Sequence, residues 1–183
     1  DLYESFLKHE GDERIPEVVA DMACELGEGN AVPGILPALA QYELTLLDWV
    51  NGHRGSKKYV AIAGKCWPAF QTMFGFVPCY VNSRLTGRGI PVSCEVDIYG
   101  ALSEYIGACV SGGAVTLLDI NNTVPADIYG GDIAGRYPYK PTDVFMGFHC
   151  GNTCSQKLCH PQMRNQKIMA RSLPEEVTFG TLE

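Results

Sequence analysis

The stretch that decides the fold is KYVAIAGKCWPAFQTMFGFVPCYVNSRLTGRGIPVSCEVDIYGALSEYIGACVSGGAVTLLDI, residues 58–120. Four short apolar segments in it favour β-strands, namely KYVAIA (58–63), FVPCY (76–80), IPVSCEV (90–96) and AVTLLDI (114–120). Helical patterns separate them: CWPAFQTMFG follows the first segment, and Asp97 can cap a helix through IYGALSEYIGACV that the glycines after Ser111 terminate. This order is typical of an α/β fold, in which helices flank a sheet.

The flanking regions extend this prediction in both directions. Upstream, apolar residues at helical spacing predict helices over 15–27 and 33–52, each ending at a glycine. Downstream we expect loops at 81–89 and 121–142, a strand at 143–149, a short helix around 155–160, and extended chain from Ile168. We therefore predict two regions, an α/β portion over residues 1–112 and a β-rich portion over 113–183.

Composition excludes several classes of function. The net charge of −7 argues against a nucleic-acid or anionic-membrane partner, because both select basic surfaces. No uninterrupted apolar run reaches about 18 residues, so we predict no membrane-spanning segment. The N-terminal residues DLYESFLKHEGDER lack a basic start followed by an apolar run, so they do not resemble a signal peptide. We read the eight cysteines mainly as buried reduced thiols in a cytoplasmic protein.

Three metal-binding residue types each follow an apolar segment. Glu95 follows IPVSC, Asp119 follows AVTLL, and His149 follows DVFMGF. Ligands of open α/β sheets collect at the carboxyl ends of strands, where such side chains can converge. Two carboxylates held close together repel, and a divalent cation neutralises them; an added imidazole shifts the preference toward Mn²⁺, Co²⁺ or Fe²⁺. The ordinary alternative stays open: Asp119 could cap a helix or turn, and Glu95 could be a solvated side chain.

Other candidates carry weaker signals. The segment HCGNTCSQKLCH, residues 149–160, could form a structural zinc site, but its spacing lacks paired CxxC knuckles, and packed thiols with a surface His160 are favoured. Trp67 could stack on a sugar ring, although a core position is favoured. Arg84 and Arg88 could bind hydroxyls or anions, or could be solvated loop residues. The sequence contains no GxGxxG, Walker, GxSxG or HExxH motif.

Taken together, four motifs resemble a known family. The CWPAF turn, the RLTGRGIP loop, the CEVDIYGALS junction and the LLDINN strand end are similar to a segment of the L-fucose and L-arabinose isomerases. These motifs span roughly residues 64–122, and FHCGN at 148–152 extends the resemblance. The combination is specific, whereas each motif alone would be weak.

The resemblance implies an aldose–ketose isomerase with a divalent ion, usually Mn²⁺, held by two acids that also act as the acid/base pair. Glu95 of the CEVD motif and Asp119 of the LLDINN motif match these acids. His149 resembles a metal-binding histidine of arabinose isomerases, whereas in fucose isomerases the ligand histidine lies in the C-terminal domain. Family members are homo-oligomers with active sites between subunits. The chain resembles part of their middle domain and the start of their C-terminal β-barrel, so we expect a fragment of a longer cytoplasmic protein.

Two alternatives remain open beside the isomerase. The chain could be a catalytically inactive sugar-binding or assembly module, or a metal-dependent hydrolase using the same acids to activate water. The sequence does not identify the sugar, the metal, or which carboxylate is the base.

Overall fold

A computed structural model of the chain describes residues 1–66, 68–149, 153–164 and 181–182. These residues group into two compact units. The first comprises residues 1–116 together with the described residues from 153 onward, and the second comprises residues 117–149. Their fold is a mixture of helices and short strands. The predicted assignment of 1–112 and 113–183 to two domains of a parent protein stays a prediction.

The N-terminal third of the first unit is helical and confirms the two predicted upstream helices. Asp1 caps the first helix through the backbone N–H of Glu4 at 2.8 Å. Gly27, with φ of 50°, ends the second helix as predicted. Pro37 lies in the first turn of the third helix, where its missing N–H costs no hydrogen bond. The helices are α1 (Leu2–Lys8), α2 (Ile15–Leu26) and α3 (Leu36–His53), with 3₁₀ turns at Gly27–Gly29 and Pro33–Ile35.

The middle of the first unit departs most from the sequence-based expectation. Its elements are β1 (Ile62–Ala63), α4 (Ala69–Met73), α5 (Cys79–Gly87), β2 (Val92–Ser93) and α6 (Ile98–Ser111). The strand predicted at 76–80 and the loop predicted at 81–89 are both wrong, because α5 occupies most of that stretch. Helix α5 is buried along its length even though half of its residues are polar. Two of the polar side chains, Ser83 and Arg84, can be buried because they bond to neighbouring segments, Ser83 to the carbonyl of Thr153 and Arg84 to Glu43.

The strands are much shorter than the apolar segments suggested. β1 and β2 pair in parallel, with Ile62 opposite Val92 and Ala63 opposite Ser93. Among the described residues the strands form two-stranded sheets, so the mixture of helices and strands is confirmed, whereas a single sheet flanked by helices stays a prediction. The helix capped by Asp97 is confirmed: Asp97 Oδ1 accepts from the N–H of Gly100 at 2.8 Å, and Gly112 ends the helix in a left-handed conformation.

Aromatic side chains dominate the core of the first unit. Tyr42 on α3 packs edge-on against Phe70 and Phe74, with ring centroids 5.1 and 5.8 Å apart, and tilted against Phe76. Phe6 from α1 closes the cluster against Phe74 and Phe76. Such tilted pairs contribute beyond the apolar area they remove from water. The core therefore holds α1, α3 and the α4 region together.

Residues near 160 complete the same core. The short strand β5 (Met163–Arg164) pairs with β6 (Thr181–Leu182), and Met163 is fully buried. The backbone N–H of Ala31 donates to the carbonyl of Met163 at 2.9 Å. Gly29 lies so close to the carbonyl of Pro161 that a Cβ there would clash. The first unit is therefore closed by contacts between residues about 130 positions apart in sequence.

The second unit contains one antiparallel strand pair and several short turns. β3 (Asp119–Asn121) pairs with β4 (Met146–Phe148), within the strand predicted at 143–149. The predicted loop at 121–142 contains α7 (Ala126–Ile128), a π-helical turn at Tyr129–Ile133 and a 3₁₀ turn at Pro141–Asp143. In the first unit, the helix predicted near 155–160 is a 3₁₀ turn, Ser155–Lys157. The extended chain predicted from Ile168 lies outside the described residues until β6.

Across the described ranges, we find no helix with both the length and the apolar character that a membrane crossing requires.

Candidate functional site

Glu95 lies in a tight turn just beyond β2. The strand ends at Ser93, three residues before the end of the strand predicted at 90–96. The N–H of Asp97 donates to the carbonyl of Cys94 at 3.0 Å, and the two central residues, Glu95 and Val96, have φ of 57° and 60°. A four-residue turn with positive φ at both central positions matches type I′. The turn leaves the Glu95 side chain exposed.

Hydrogen bonds fix this turn on both sides. The N–H of Val96 donates to the carbonyl of Gly64 at 3.1 Å, and the N–H of Gly64 donates to the carbonyl of Ser93 at 2.9 Å. On the other side, Asp97 caps α6. Glu95 is therefore held between the β1–β2 pair and the first turn of α6.

A buried polar contact also anchors α6 to β2. Ser93 Oγ donates to Glu104 Oε2 at 3.0 Å, and both residues are buried. A hydrogen bond from a neutral donor to a buried carboxylate satisfies part of the cost of burying that group. The position of α6 relative to β2 is thus fixed by this side-chain contact as well as by the turn at Glu95.

Asp119 and His149 lie in the second unit. The prediction that Asp119 ends a strand is wrong: it begins β3, and the apolar residues before it are not in a strand. Its Cα pairs with that of Phe148, and His149 is the next residue along. The antiparallel pairing thus brings Asp119 and His149 to the same end of the strand pair. Asp119 is exposed and His149 is partly buried.

The carboxylates of Glu95 and Asp119 fit a hard cation in their chemistry. Both are exposed, and neither is engaged in a hydrogen bond or ion pair with another described residue. Within each unit, the described residues include no group of three or more His, Cys, Asp or Glu side chains arranged to hold a metal ion. The site of Glu95, Asp119 and His149 therefore stays a prediction, with Glu95 in one unit and the other two in the other.

The two arginines singled out in the sequence have a structural role instead. Arg84 lies inside α5 and bonds to Glu43 Oε2 on α3 and to Asp21 Oδ2 on α2, each at 2.6 Å, and also to Glu25. Arg88 Nη1 reaches Glu43 Oε1 at 2.8 Å. These guanidinium groups are committed to carboxylates, so the interpretation of Arg84 as a solvated loop residue or an anion ligand is wrong.

The environment of Arg84 shifts the ionisation of its neighbours. Burial by itself would lower the pKa of Arg84, but the hydrogen bond and charge of Glu43 raise it above its ordinary value. The hydrogen bond from Arg84 lowers the pKa of the Asp21 carboxyl. Burial, and then the nearby charge of Glu25, raise the pKa of Tyr80. Every one of these shifts favours the charge state that the network needs near neutral pH.

Sequence reasoning missed the carboxylates of this network. Glu43 is fully buried within ALAQYELTLL, the apolar run of α3 at residues 38–47. A charged residue on the apolar face of a predicted helix was the available signal, because such a residue needs a buried partner. The left-handed pair Glu95–Val96 had no such signal, since neither residue is typical of positive φ.

The Cys/His segment does not form a zinc site among the described residues. Cys154 is buried and its Sγ lies 3.1 Å from the position a Cβ would take on Gly87. Cys159 and the predicted surface residue His160 are exposed and line a cleft of about 470 Å³ at the end of α2. All described cysteines are free thiols, and four of them are buried. Trp67 and Cys150 lie outside the described residues.

Comparison with curated proteins gives partial matches to sugar isomerases. The chain is 32% identical over 103 residues to a sulfoquinovose isomerase of Priestia megaterium, a match covering 56% of this chain and 20% of that protein. It is 39% identical over 70 residues to a sulfoquinovose isomerase of Clostridium sp., covering 35% of this chain and 16% of that protein. A third such enzyme, from Alkalicoccus urumqiensis, is 29% identical over 123 residues, 64% of this chain and 26% of that protein.

The matches cover between a sixth and about a quarter of these relatives' own length. No protein-family profile matches the chain, and no solved structure does. The comparisons therefore support only a general statement, that part of this chain is similar in sequence to sugar isomerases.

Proposed function

We propose that the chain belongs to a metal-dependent aldose–ketose isomerase. The observation that carries the proposal is its similarity to sulfoquinovose isomerases from three genera. The four motifs that resemble the L-fucose and L-arabinose isomerases support the same reaction class. The placement of Glu95 adds a physical argument. Its exposed carboxylate lies on a fixed turn and has no hydrogen-bond or ion-pair partner among the described residues, so it is available to a substrate or an ion.

The substrate is proposed as a monosaccharide aldose. Sulfoquinovose is the first candidate, because three curated relatives carry that substrate in their names. L-fucose and L-arabinose are the next candidates, from the resemblance of the motifs. Specificity depends on contacts around the sugar, and a pocket that hydrogen-bonds one substituent discriminates strongly against sugars lacking it.

The proposed chemistry is a proton transfer between C1 and C2 of the open-chain sugar. The C–H proton is weakly acidic, so the site must stabilise an ene-diolate. A divalent ion, proposed as Mn²⁺, would provide electrostatic stabilisation of the sugar oxygens when bound. Glu95 and Asp119 would hold that ion with His149. One carboxylate would take the proton from one carbon, and the other, already protonated, would give a proton to the neighbouring carbon, each contributing about 10²- to 10⁴-fold. The hydroxyl proton would move between O2 and O1 in the same reaction, and exchange with solvent would restore both carboxyl groups.

The test replaces each acid in the protein as its gene encodes it. Glu95→Gln and Asp119→Asn remove the charge and the basic oxygen while nearly preserving shape, so each should lower kcat by at least about 10²-fold. Glu17→Gln, on the exposed surface of α2, is the matched control and should leave kcat unchanged. Activity is measured as ketose formation with Mn²⁺ from sulfoquinovose, L-fucose, L-arabinose and L-rhamnose. Normal turnover by Glu95→Gln would show that the assignment is wrong.

Two other functions give different outcomes in the same assay. Cleavage of a model ester or phosphate that depends on Mn²⁺, without ketose formation, would favour a hydrolase. Sugar binding by calorimetry without turnover would favour a catalytically inactive binding module. A homo-oligomer with active sites between subunits, and a cytoplasmic location, are proposed with the isomerase because the resemblance implies them.

A further inference from the structure

The turn that carries Glu95 is conformationally unusual within this chain. Positive φ values occur at nine described residues, and seven of these are glycines. The two exceptions, Glu95 and Val96, are consecutive. A left-handed backbone brings Cβ close to the following carbonyl, and a β-branched residue such as valine tolerates it least. Within the part of the chain that the structure describes, these are the only two consecutive residues with positive φ, and both carry side chains where glycines would fit best.

Neighbouring structure keeps the turn in this conformation. Cys94 is buried and follows a strand whose register is set by β1, while Asp97 is committed to capping α6. Only Glu95 and Val96 connect these two fixed points. The bond from the Val96 N–H to the carbonyl of Gly64 holds the middle of the connection. The two residues therefore cannot relax without breaking contacts on both sides.

The unfavourable conformation is not compensated by packing of the two side chains. The Val96 residue is 44% exposed, so it buries little of its apolar surface. Glu95 is exposed and has no ion-pair partner among the described residues. Backbone strain that brings no packing in return is characteristic of residues held for function.

We infer that Val96 is a positioning residue, which restricts the turn so that the Glu95 carboxylate points in one fixed direction. This inference rests on the proposed function, because it assigns the strain to the acid that the isomerase would use. Valine has a stiff χ1 and a narrow choice of backbone conformations. Glycine at the same position would relieve the strain and also release the turn to other conformations.

The experiment compares three variants in the protein as its gene encodes it. Val96→Gly should raise Tm while lowering kcat by about 10-fold or more, with KM little changed, since small misplacements of a reacting group are costly. Val96→Asn should recover part of that loss, because asparagine accepts left-handed backbone with less freedom than glycine. Gly112→Val is the control: Gly112 has φ of 66° at the other end of α6 and open space around it, so valine should lower Tm without changing kcat.

The outcomes separate the two claims. If the wild type is active and Val96→Gly has the same kcat, the positioning role is overturned while the proposed isomerase function stands. A Val96→Gly protein with an unchanged or lower Tm shows that the turn is not strained and also overturns it. A wild type that is silent toward every aldose, with and without Mn²⁺, overturns the proposed function and the positioning role together.

Discussion

The Nε of Arg84 donates to Oε2 of Glu43 at 2.6 Å, and both side chains are in the core, 5% and 0% exposed. This pair joins α5 to α3. Arg84 extends to Asp21 and Glu25 on α2, so one guanidinium from α5 contacts both α2 and α3. A buried guanidinium bonded on several sides fixes the relative positions of these helices more specifically than apolar packing alone.

Removing one partner of this pair should be strongly destabilising. Arg84→Met leaves Glu43 buried with one guanidinium fewer, and breaking a buried ion pair in this way costs about 3–5 kcal/mol. Arg14→Met is the matched control, because Arg14 bonds to Asp12 and Asp48 at the surface, where ion pairs contribute little. Urea denaturation of both variants measures the difference. Equal shifts in the unfolding midpoint would contradict a special role for Arg84.

Acid should weaken the first unit through Asp21. The hydrogen bond from Arg84 lowers the pKa of Asp21 in the folded protein. Its contribution is therefore complete above the unfolded value of about 3.9 and is lost as pH falls from there toward the lower folded value. The urea midpoint should fall as the pH drops below about 4, and less steeply in Asp21→Asn. Asp127→Asn, whose carboxylate makes no ion pair with a described residue, should follow the wild-type profile.

A buried hydroxyl on α5 offers a stabilising substitution. Thr86 is 1% exposed, and its Oγ1 has no hydrogen-bond partner among the described residues. Thr86→Val removes an unsatisfied polar group of similar shape and should raise the free energy of unfolding by about 1 kcal/mol. Thr45→Val is the opposite case, since Thr45 is also buried but its hydroxyl donates to the carbonyl of Gln41 at 2.7 Å. That variant should be destabilised, and equal effects from both would refute the argument.

The outer face of α6 should bind apolar dyes. Its exposed residues include Tyr99, Leu102, Ile106 and Val110, which recur at helical spacing, and the helix carries no charged residue on that face. Contiguous apolar surface of this kind binds hydrophobic probes. The double variant Leu102→Lys, Ile106→Lys should therefore reduce the fluorescence of anilinonaphthalene sulfonate in the native protein. Glu17→Lys, which changes the net charge by the same amount elsewhere, should not.

The sequence predicted elements whose signals are local. α2 and α6 were predicted because their ends carry Gly27, Asp97 and Gly112, which act within a few residues. α5 was missed because polar residues such as Ser83 and Arg84 suggested a loop, and their partners lie 41 to 70 residues away. A short apolar run such as 76–80 does not distinguish strand from helix.

The candidate site shows the same division. The apolar run before Glu95 correctly predicted an exposed acid next to β2. The reversal of the chain at Glu95–Val96 could not be predicted, since it is imposed by the bond from Val96 to Gly64, about thirty residues earlier. Asp119 was placed at the wrong end of its strand because pairing with β4, rather than its own apolar run, determines where β3 lies.

The joining of Ala31 to Met163 has a consequence for how the protein is made. A ribosome synthesises the helices α1 to α6 well before Met163, yet the fully buried Met163 side chain belongs to the same apolar core. During translation, part of the apolar surface of these early helices therefore stays exposed to solvent until residues 153–164 emerge from the exit tunnel. Chains truncated before Pro161 should accordingly be the forms that chaperones retain.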